Sequence, residues 1–325
     1  MQSHAHGTRV TRTELTPLHL LGCTRGAARR YVVFAVAAVI ISSLYAVRAA
    51  AAPCDAAGKQ CPQALNAESA RGLALGTGAR ATAISTSALA YNPAALAVGR
   101  LYHIEGAVDY MPDRHTVALG GAIVDSSTSR LAAGFSLRGF LSGDDGIGGI
   151  DGRLALALPF SEAVSIGVAG RYLSAKHTDK TLDLGNPAKG FSLDASLRVA
   201  PVPMLQLHVG GYNLINYDSA YAPLMVGGGA GVGIGTVAVL GADLLVDLSS
   251  YRTADVIAGG GIELLAGQAV PIRAGYSYDT KREQHAFSAG FGYTDAAVGI
   301  DLSFRQDIGG AGDTRLMGAF RFFMH

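Results

Sequence analysis

The residue types that perform enzyme chemistry are present, but their spacing predicts no catalytic site. No H-E-x-x-H pair and no G-x-S-x-G nucleophile elbow occurs in the sequence. Residues 76–81 match G-x-G-x-x-A, a pattern that binds dinucleotides only inside a βαβ unit, and the glycine-rich surroundings predict no such unit. We therefore expect no enzyme, no cofactor and no metal site, since the histidines of the main body are scattered: His103, His115, His177, His208 and His285.

Charged residues with a regular spacing form a different set. In Val298–Arg305, Phe191–Val199 and Val164–Tyr172, apolar residues alternate with small or charged ones over eight or nine positions. A period of two predicts a strand, and the charges on its second face meet water or one another. These charges of both signs either neutralise each other or form the polar wall of a passage: Glu105, Asp109, Arg138, Arg153, Arg171, Asp194, Arg198, Asp243, Asp247, Glu263, Arg273, Asp301, Arg305 and Arg321.

The composition indicates what kind of protein carries these strands. The 325 residues include 43 glycines and no tryptophan, only 16% are charged, and the mean hydropathy is +0.28. Soluble domains contain about 25% charged residues, so this composition favours a membrane protein. The apolar residues are dispersed, however, and the longest uncharged stretch of the body, 219–242, contains seven glycines, which make a helix poor. The near balance of 26 basic and 25 acidic residues predicts no nucleic-acid partner.

The alternating runs predict an antiparallel transmembrane β-barrel of fourteen strands over residues 100–325. The connections after even-numbered strands are short and the others are generally longer and more polar, as in outer-membrane barrels. Two alternatives remain: twelve strands, if the eighth and ninth merge, and a soluble β-sandwich, which alternates in the same way. The predicted strands are 101–110, 115–124, 130–141, 149–158, 164–174, 190–200, 205–214, 223–232, 236–248, 254–265, 269–278, 285–293, 296–306 and 314–323.

The first fifty residues predict export. Arginines precede an uncharged stretch at 31–47, and a run of alanines follows at 49–52, which is the order of a cleaved signal peptide. The alternative is an uncleaved membrane anchor, because seventeen uncharged residues approach the length that spans a bilayer. In an oxidising compartment the nearby Cys54 and Cys61 are candidates for a local disulfide. A barrel with an export signal predicts the bacterial outer membrane, with its lipids as surroundings.

Residues 51–99 precede the first strand and lack the alternation. Their motifs Gly78–Ala81 and Tyr91–Leu96 resemble the N-terminal plug of the FadL/TodX family of fatty-acid and hydrocarbon transporters, and residues 271–278 and 287–292 resemble its C-terminal strands. The resemblance implies a fourteen-stranded barrel closed by a hatch, a hydrophobic small-molecule ligand and assembly by the barrel-assembly machinery. The aromatic final strand, with Phe320, Phe322 and Phe323, resembles the signal that this machinery reads. Pro93 fixes a turn in the plug motif Asn92, Pro93 and Ala94, where the Asn92 side chain can bond to nearby backbone.

Two other functions stay open. A structural or secretion-accessory barrel like the PorV relatives of the family would not transport, and a small general porin would pass polar solutes. The chain is short for a family transporter, so we expect reduced outer loops and doubt an outer capture groove. Glycines near Gly134, Gly139 and Gly228 would permit a strand kink or a side opening in the wall.

Overall fold

The computed structural model describes Cys54, Cys61 and residues 64–66, 68–143, 146–178, 187–215, 217–308 and 312–324. The predicted signal peptide, residues 1–50, lies outside these. Within the described part of the chain, the helices are all too short or too polar to cross a bilayer.

Fourteen antiparallel strands form a closed barrel in which each strand pairs with its neighbours in sequence, and β1 pairs with β14. The closing ladder runs from Tyr102 opposite Met324 to Tyr110 opposite Leu316. The strands are β1 Tyr102–Met111, β2 Thr116–Asp125, β3 Ala132–Ser142, β4 Ile147–Pro159, β5 Val164–His177, β6 Ala188–Val202, β7 Leu205–Tyr212, β8 Met225–Ile234, β9 Ala238–Asp247, β10 Asp255–Ala266, β11 Val270–Asp279, β12 Gln284–Thr294, β13 Val298–Ile308 and β14 Thr314–Met324.

The alternation of the sequence becomes the inside and the outside of the barrel. On β5, Arg171 and Leu173 are buried inside, whereas Val168 between two buried neighbours is 42% exposed on the outer surface. Large apolar side chains are exposed all around that surface, and the buried charges lie within. This arrangement is the reverse of a soluble sandwich, so that alternative is wrong, and the outer band suits contact with lipid.

The predicted asymmetry of the connections is present. Connections after even-numbered strands have two to six residues, such as 203–204 and 295–297, and we name this end of the barrel the short-turn end. Longer connections, such as 178–187, 213–224 and 248–254, gather at the opposite, long-loop end. The twelve-strand alternative is wrong, because β8 and β9 are separate strands joined through Gly235, which has the left-handed φ of +56°.

The described residues between 64 and 99, which we name the N-terminal segment, lie inside the barrel. They include helix α1 at Ala70–Ala74, helix α2 at Ser85–Tyr91 and a 3₁₀ helix at Pro93–Ala97. The Ser69 hydroxyl accepts from the Gly72 N–H at 3.1 Å and so caps α1. Because α1 packs on β11–β14 while the 3₁₀ helix packs on β3–β6, the segment fills the lumen from wall to wall.

The described wall is continuous at the three glycines that would permit a kink or a side opening. The pairing of β3 with β2 and β4 continues through Gly134 and Gly139, and the pairing of β8 with β7 and β9 continues through Gly228. The backbone ladders on both sides of each glycine are formed in this state, so a side opening there stays a prediction. A register shift is present instead between Val199 and Val202, at the short-turn end of β6.

Candidate functional site

The N-terminal segment runs the length of the lumen. At the long-loop end, the Cys54 and Leu65 amides donate to the carbonyls of Ser250 and Tyr221, at 2.9 and 2.7 Å. At the short-turn end, the Ser126 hydroxyl donates to the Gly99 carbonyl at 2.7 Å. The segment therefore crosses the barrel from one end to the other before β1 begins.

The plug motif forms a turn against the wall of β5 and β6. Asn92 is fully buried, and its side-chain amide donates to the Arg80 carbonyl at 3.1 Å. Pro93 then begins the 3₁₀ helix. The Ala94 N–H donates to the Ser196 hydroxyl, and the Ala94 carbonyl accepts from the Ser165 hydroxyl, both at 2.9 Å. These three bonds satisfy backbone groups that the turn leaves unpaired in a dry interior.

Inward-facing glycines allow the segment to lie directly on the wall. A Cβ on Gly78 would lie 2.5 Å from the Gly241 carbonyl oxygen, and one on Gly261 would lie 2.6 Å from the Leu75 carbonyl oxygen. A Cβ on Gly167 would overlap the backbone of Pro93 and Ala94. At such positions glycine is needed for close backbone approach. The sequence shows these positions only as glycines and does not identify the backbone that each one approaches.

One ion-pair network joins α1 to the wall. The Arg71 guanidinium donates to both carboxylate oxygens of Glu263, at 2.9 and 3.1 Å, and to the Thr82 carbonyl at 3.0 Å. Glu263 also accepts from Arg273, which donates in turn to Asp301 at 2.5 Å. Two-point contacts of this kind fix the relative orientation of the two side chains as well as pairing their charges. Arg71 was not among the predicted site residues, because its partner is 192 positions away.

A second anchor surrounds Arg80. Its backbone N–H donates to the Asp243 carboxylate at 2.8 Å, and its guanidinium lies 3.6 Å from the same carboxylate. The guanidinium also lies 5.5 and 5.4 Å from the ring centres of Tyr91 and Tyr212, within cation–π range. The Tyr212 hydroxyl donates to the Tyr91 carbonyl at 2.6 Å, so a wall residue binds the segment there too.

A third anchor joins α2 to β1 at the short-turn end. Ser85 and His103 share a hydrogen bond of 2.5 Å between Oγ and Nδ1, and the Thr86 hydroxyl lies 3.1 Å from the His103 Nε2. The Thr86 hydroxyl donates to Glu105 at 2.7 Å. His103 was predicted only as an isolated histidine, and the structure assigns it to the attachment of the segment.

A belt of alternating charges follows the wall, and Asp109, Asp307 and Arg315 place part of it in the half of the barrel nearer the long-loop end. Arg315 donates to Asp109 and, at 2.9 Å, to Glu68 of the segment. Asp151 accepts two bonds from Arg171, at 3.0 and 2.8 Å. The belt is continuous because each of its charges lies within 4.0 Å of an opposite charge: Asp307, Arg305, Glu68, Arg315, Asp109, Arg138, Asp151, Arg171, Arg153 and Asp194. Such a lumen has its charges compensated, unlike a lumen built to attract ions.

All the polar residues predicted for the second face of the strands lie on the inner face. Most of them belong to the ion-pair network of Arg71, to the charged belt or to the Arg80 anchor, but Arg198 and Asp247 do not. Asp247 accepts from the Ser249 and Ser250 amides, both at 3.0 Å, at the long-loop end. The structure also contains a disulfide between Cys54 and Cys61, with Cα atoms 4.9 Å apart, and Cys61 Sγ accepts from Arg282 at 3.7 Å.

An apolar cluster closes the long-loop end over β1–β6. It contains Leu65 of the segment and Tyr221 of the 213–224 loop, and burial raises the pKa of Tyr221 to about 12, so its phenol stays neutral. Tyr217 of the same loop donates to the Arg171 carbonyl at 3.1 Å. The members from the wall are Met111, Ala118, Phe140, Ile147, Leu173, Ala175 and Ala188.

Two small cavities remain beside the segment. One of about 70 Å³, which we name the β1–β4 cavity, is lined by Leu89 and Ala90 of α2 and by small wall residues such as Ala107 and Ala122. Six charged residues also line it: Glu68, Glu105, Asp109, Arg138, Asp151 and Arg153. Gly120 lines both this cavity and an apolar groove on the outer surface. The other, of about 80 Å³, lies at the long-loop end and is more polar. In the described part of the chain, no three His, Cys, Asp or Glu side chains gather in a way that could hold a metal ion.

No protein-family model and no curated protein sequence matches the chain. Solved structures share its fold. The toluene transporter TbuX of Ralstonia pickettii is 13% identical, with a TM-score of 0.60 over 80% of this chain and 99% of that chain. The toluene transporter TodX of Pseudomonas putida is 11% identical, with a TM-score of 0.56 over 81% and 99%. The monoaromatic hydrocarbon channel CymD is 11% identical, with a TM-score of 0.54 over 77% and 97%. These three proteins are transporters or channels rather than enzymes.

Proposed function

We propose that this protein is an outer-membrane transporter of small hydrophobic molecules and that its N-terminal segment acts as the hatch. The observation that carries the proposal is the β1–β4 cavity, an internal space next to an apolar groove on the membrane-facing surface. Apolar atoms make up most of its accessible lining, and charged residues of the belt such as Asp109, Arg138 and Asp151 border it. The shared fold with toluene transporters supports it. An apolar ligand gains free energy in such a cavity, at roughly 25 cal/mol for each Å² of apolar surface removed from water.

The route that we propose begins at the long-loop end, facing the cell exterior. There the apolar cluster would offer the first apolar surface to a ligand. When the segment moves, the ligand would reach the β1–β4 cavity, which residues of the charged belt border, and would leave at the wall where Gly120 and Gly121 provide little side-chain bulk. The ladder at these residues is complete in this state, so release requires the wall to open locally.

A general porin is disfavoured by the filled lumen. Porins conduct small polar solutes through a water-filled channel. Here the segment touches strands on opposite walls, and the belt leaves few inward charges to attract ions. The two internal cavities of about 70 and 80 Å³ are too small to form a continuous aqueous pore.

An accessory barrel without transport is the second candidate, and the same filled lumen favours it. The two candidates differ in what the purified protein retains. Protein extracted in a mild detergent and analysed by mass spectrometry should carry a bound hydrophobic compound if it is a transporter, and should retain a protein partner if it is an accessory barrel. Liposome swelling in sugars tests the porin, and rapid swelling with the wild-type protein would overturn the transporter.

A further inference from the structure

Arg198 on β6 differs from the other buried arginines of the wall. Its side chain is directed inward at the short-turn end, and the residue is only 7% exposed. Its contacts are two long hydrogen bonds to the Gln206 side-chain oxygen, at 3.4 and 3.3 Å. Among the described residues, no carboxylate lies within 4.0 Å of it, whereas these inward arginines each have one: Arg138, Arg153, Arg171, Arg273, Arg305, Arg315 and Arg321.

A buried guanidinium without a counter-charge lowers the stability of the fold, because its desolvation is not compensated. The wall supplies a carboxylate to its other inward arginines, so the lack of one at Arg198 is not a general property of this lumen. Because no carboxylate of the wall offsets this desolvation, an external anion that entered the cleft would do so.

Arg198 lines a cleft of about 490 Å³ at the short-turn end. Arg130 and the polar residues Ser161 and Ser165 line the same cleft. The opposite part of the lining is apolar and comes from the end of the N-terminal segment, Ala97 and Val98, and from Pro159. Glu162 is the single acidic residue of the lining, so the cleft offers two cations against one anion beside an apolar surface.

We propose that this cleft binds a small amphipathic carboxylate, with its charged group on Arg198 and its apolar body against Val98 and Pro159. The guanidinium presents a planar set of donors that matches a carboxylate in two-point geometry. The apolar side makes benzoate a better match than inorganic phosphate. The site does not depend on transport of uncharged molecules, because it lies outside the β1–β4 cavity and has its own lining.

Isothermal titration calorimetry on the full-length protein in an uncharged detergent tests the site, with benzoate as the ligand. We expect benzoate to bind and Arg198→Gln to weaken binding at least about tenfold, the loss of one charge-assisted pair. Arg100→Gln is the matched control, since Arg100 is an exposed arginine near the same end that donates to the Ser127 carbonyl outside the cleft. Its binding should equal that of the wild type.

Two further measurements keep the test decisive. Val98→Asp places a carboxylate in the cleft beside the guanidinium, so it should abolish benzoate binding even if Arg198→Gln does not assemble. Benzyl alcohol, which has the same ring without the charge, should not bind detectably. Equal benzoate affinity in wild type and Arg198→Gln, or phosphate binding as tight as benzoate binding, would overturn the proposal. We expect Arg198→Gln to take up toluene at the wild-type rate, because the cleft lies outside the proposed transport route. This measurement separates the benzoate site from the transport function.

Discussion

Ala81 of the N-terminal segment lies opposite Gly231 on β8: a Cβ on Gly231 would lie 3.6 Å from the Cβ of Ala81 and would overlap the Thr82 Cγ2. Ala81 and this position on the wall are thus as close as the Cβ atoms of a disulfide, which lie about 3.5–4.5 Å apart. The segment is held this closely by glycines along its path, together with the Arg71 and Arg80 anchors. Under the proposed function, these are the contacts that must break for a ligand to pass.

Gly167→Val should displace the segment from the wall. The new side chain would overlap Pro93 and Ala94, and such overpacking costs about 1–3 kcal/mol. We expect the conductance of single barrels in planar bilayers to increase. Gly170→Val on the same strand is the control, because its Cβ points outward and meets nothing within 4 Å. Equal conductance of the two variants would contradict the assigned position of the segment.

Glu263→Gln should loosen α1. It removes the carboxylate that Arg71 contacts, and breaking a buried pair costs about 3–5 kcal/mol. We expect trypsin to cleave after Arg71 at a lower temperature than in the wild type, measured by mass spectrometry. Glu162→Gln, in the exposed turn after β4, should shift that temperature little. An unchanged cleavage temperature in Glu263→Gln would show that the ion pair does not hold the segment.

Asn92→Ala should weaken the turn of the plug motif. It leaves the buried Arg80 carbonyl without its partner, at about 1–3 kcal/mol. Hydrogen exchange should become faster across 79–95 and remain unchanged in β12–β14. Asn66→Ala is the control in the same segment, since its backbone carbonyl, rather than its side chain, accepts from Arg138. Equal exchange rates across 79–95 in Asn92→Ala and Asn66→Ala would contradict the role of Asn92.

Replacing Cys54 and Cys61 together by serine should affect the long-loop end only. A disulfide that closes so short a loop contributes about 2–3 kcal/mol by the loop-entropy account, and this one lies beside Ser250 and Arg282. We expect normal barrel assembly, seen as heat-modifiable gel mobility, with faster proteolysis near residue 64. Failure of assembly would show that the disulfide is needed for the barrel itself.

The strands of the barrel could be predicted because the pattern that specifies each one lies within its own residues and the turns beside it. Alternation with period two and turn residues between the runs place all fourteen strands within a few residues of their observed bounds. The largest difference is at β5, which continues to His177 rather than ending at 174. In the other direction, β7 ends at Tyr212 rather than at 214, because Asn213 has a left-handed φ of +52° and its N–H bonds to Asp194.

The site was predictable only in part, because its contacts join distant positions. Period two identified the inward charges, but it could not pair Arg71 with Glu263 or Arg315 with Glu68, 192 and 247 positions apart. The alternation also does not show which arginine lacks a partner, so Arg198 looked the same as Arg171. The sequence also cannot show whether the wall is paired at Gly134, Gly139 and Gly228, because strand pairing depends on the neighbouring strands.

Toluene uptake by a hatch-locked variant tests the central claim most directly. Ala81→Cys with Gly231→Cys, made together with Thr82→Ser so that no Thr82 Cγ2 overlaps the new Cβ, would form a disulfide between the segment and the wall. Cells that make this variant are compared in labelled toluene, with and without reductant, with wild-type cells and with cells that make Thr82→Ser alone. We predict that the reduced variant takes up toluene at the wild-type rate, that the oxidised variant falls to the level of cells without the protein, and that the wild type is indifferent to reductant. Uptake by the oxidised variant at the wild-type rate would contradict a moving hatch, and wild-type uptake no faster than in cells without the protein would contradict transport.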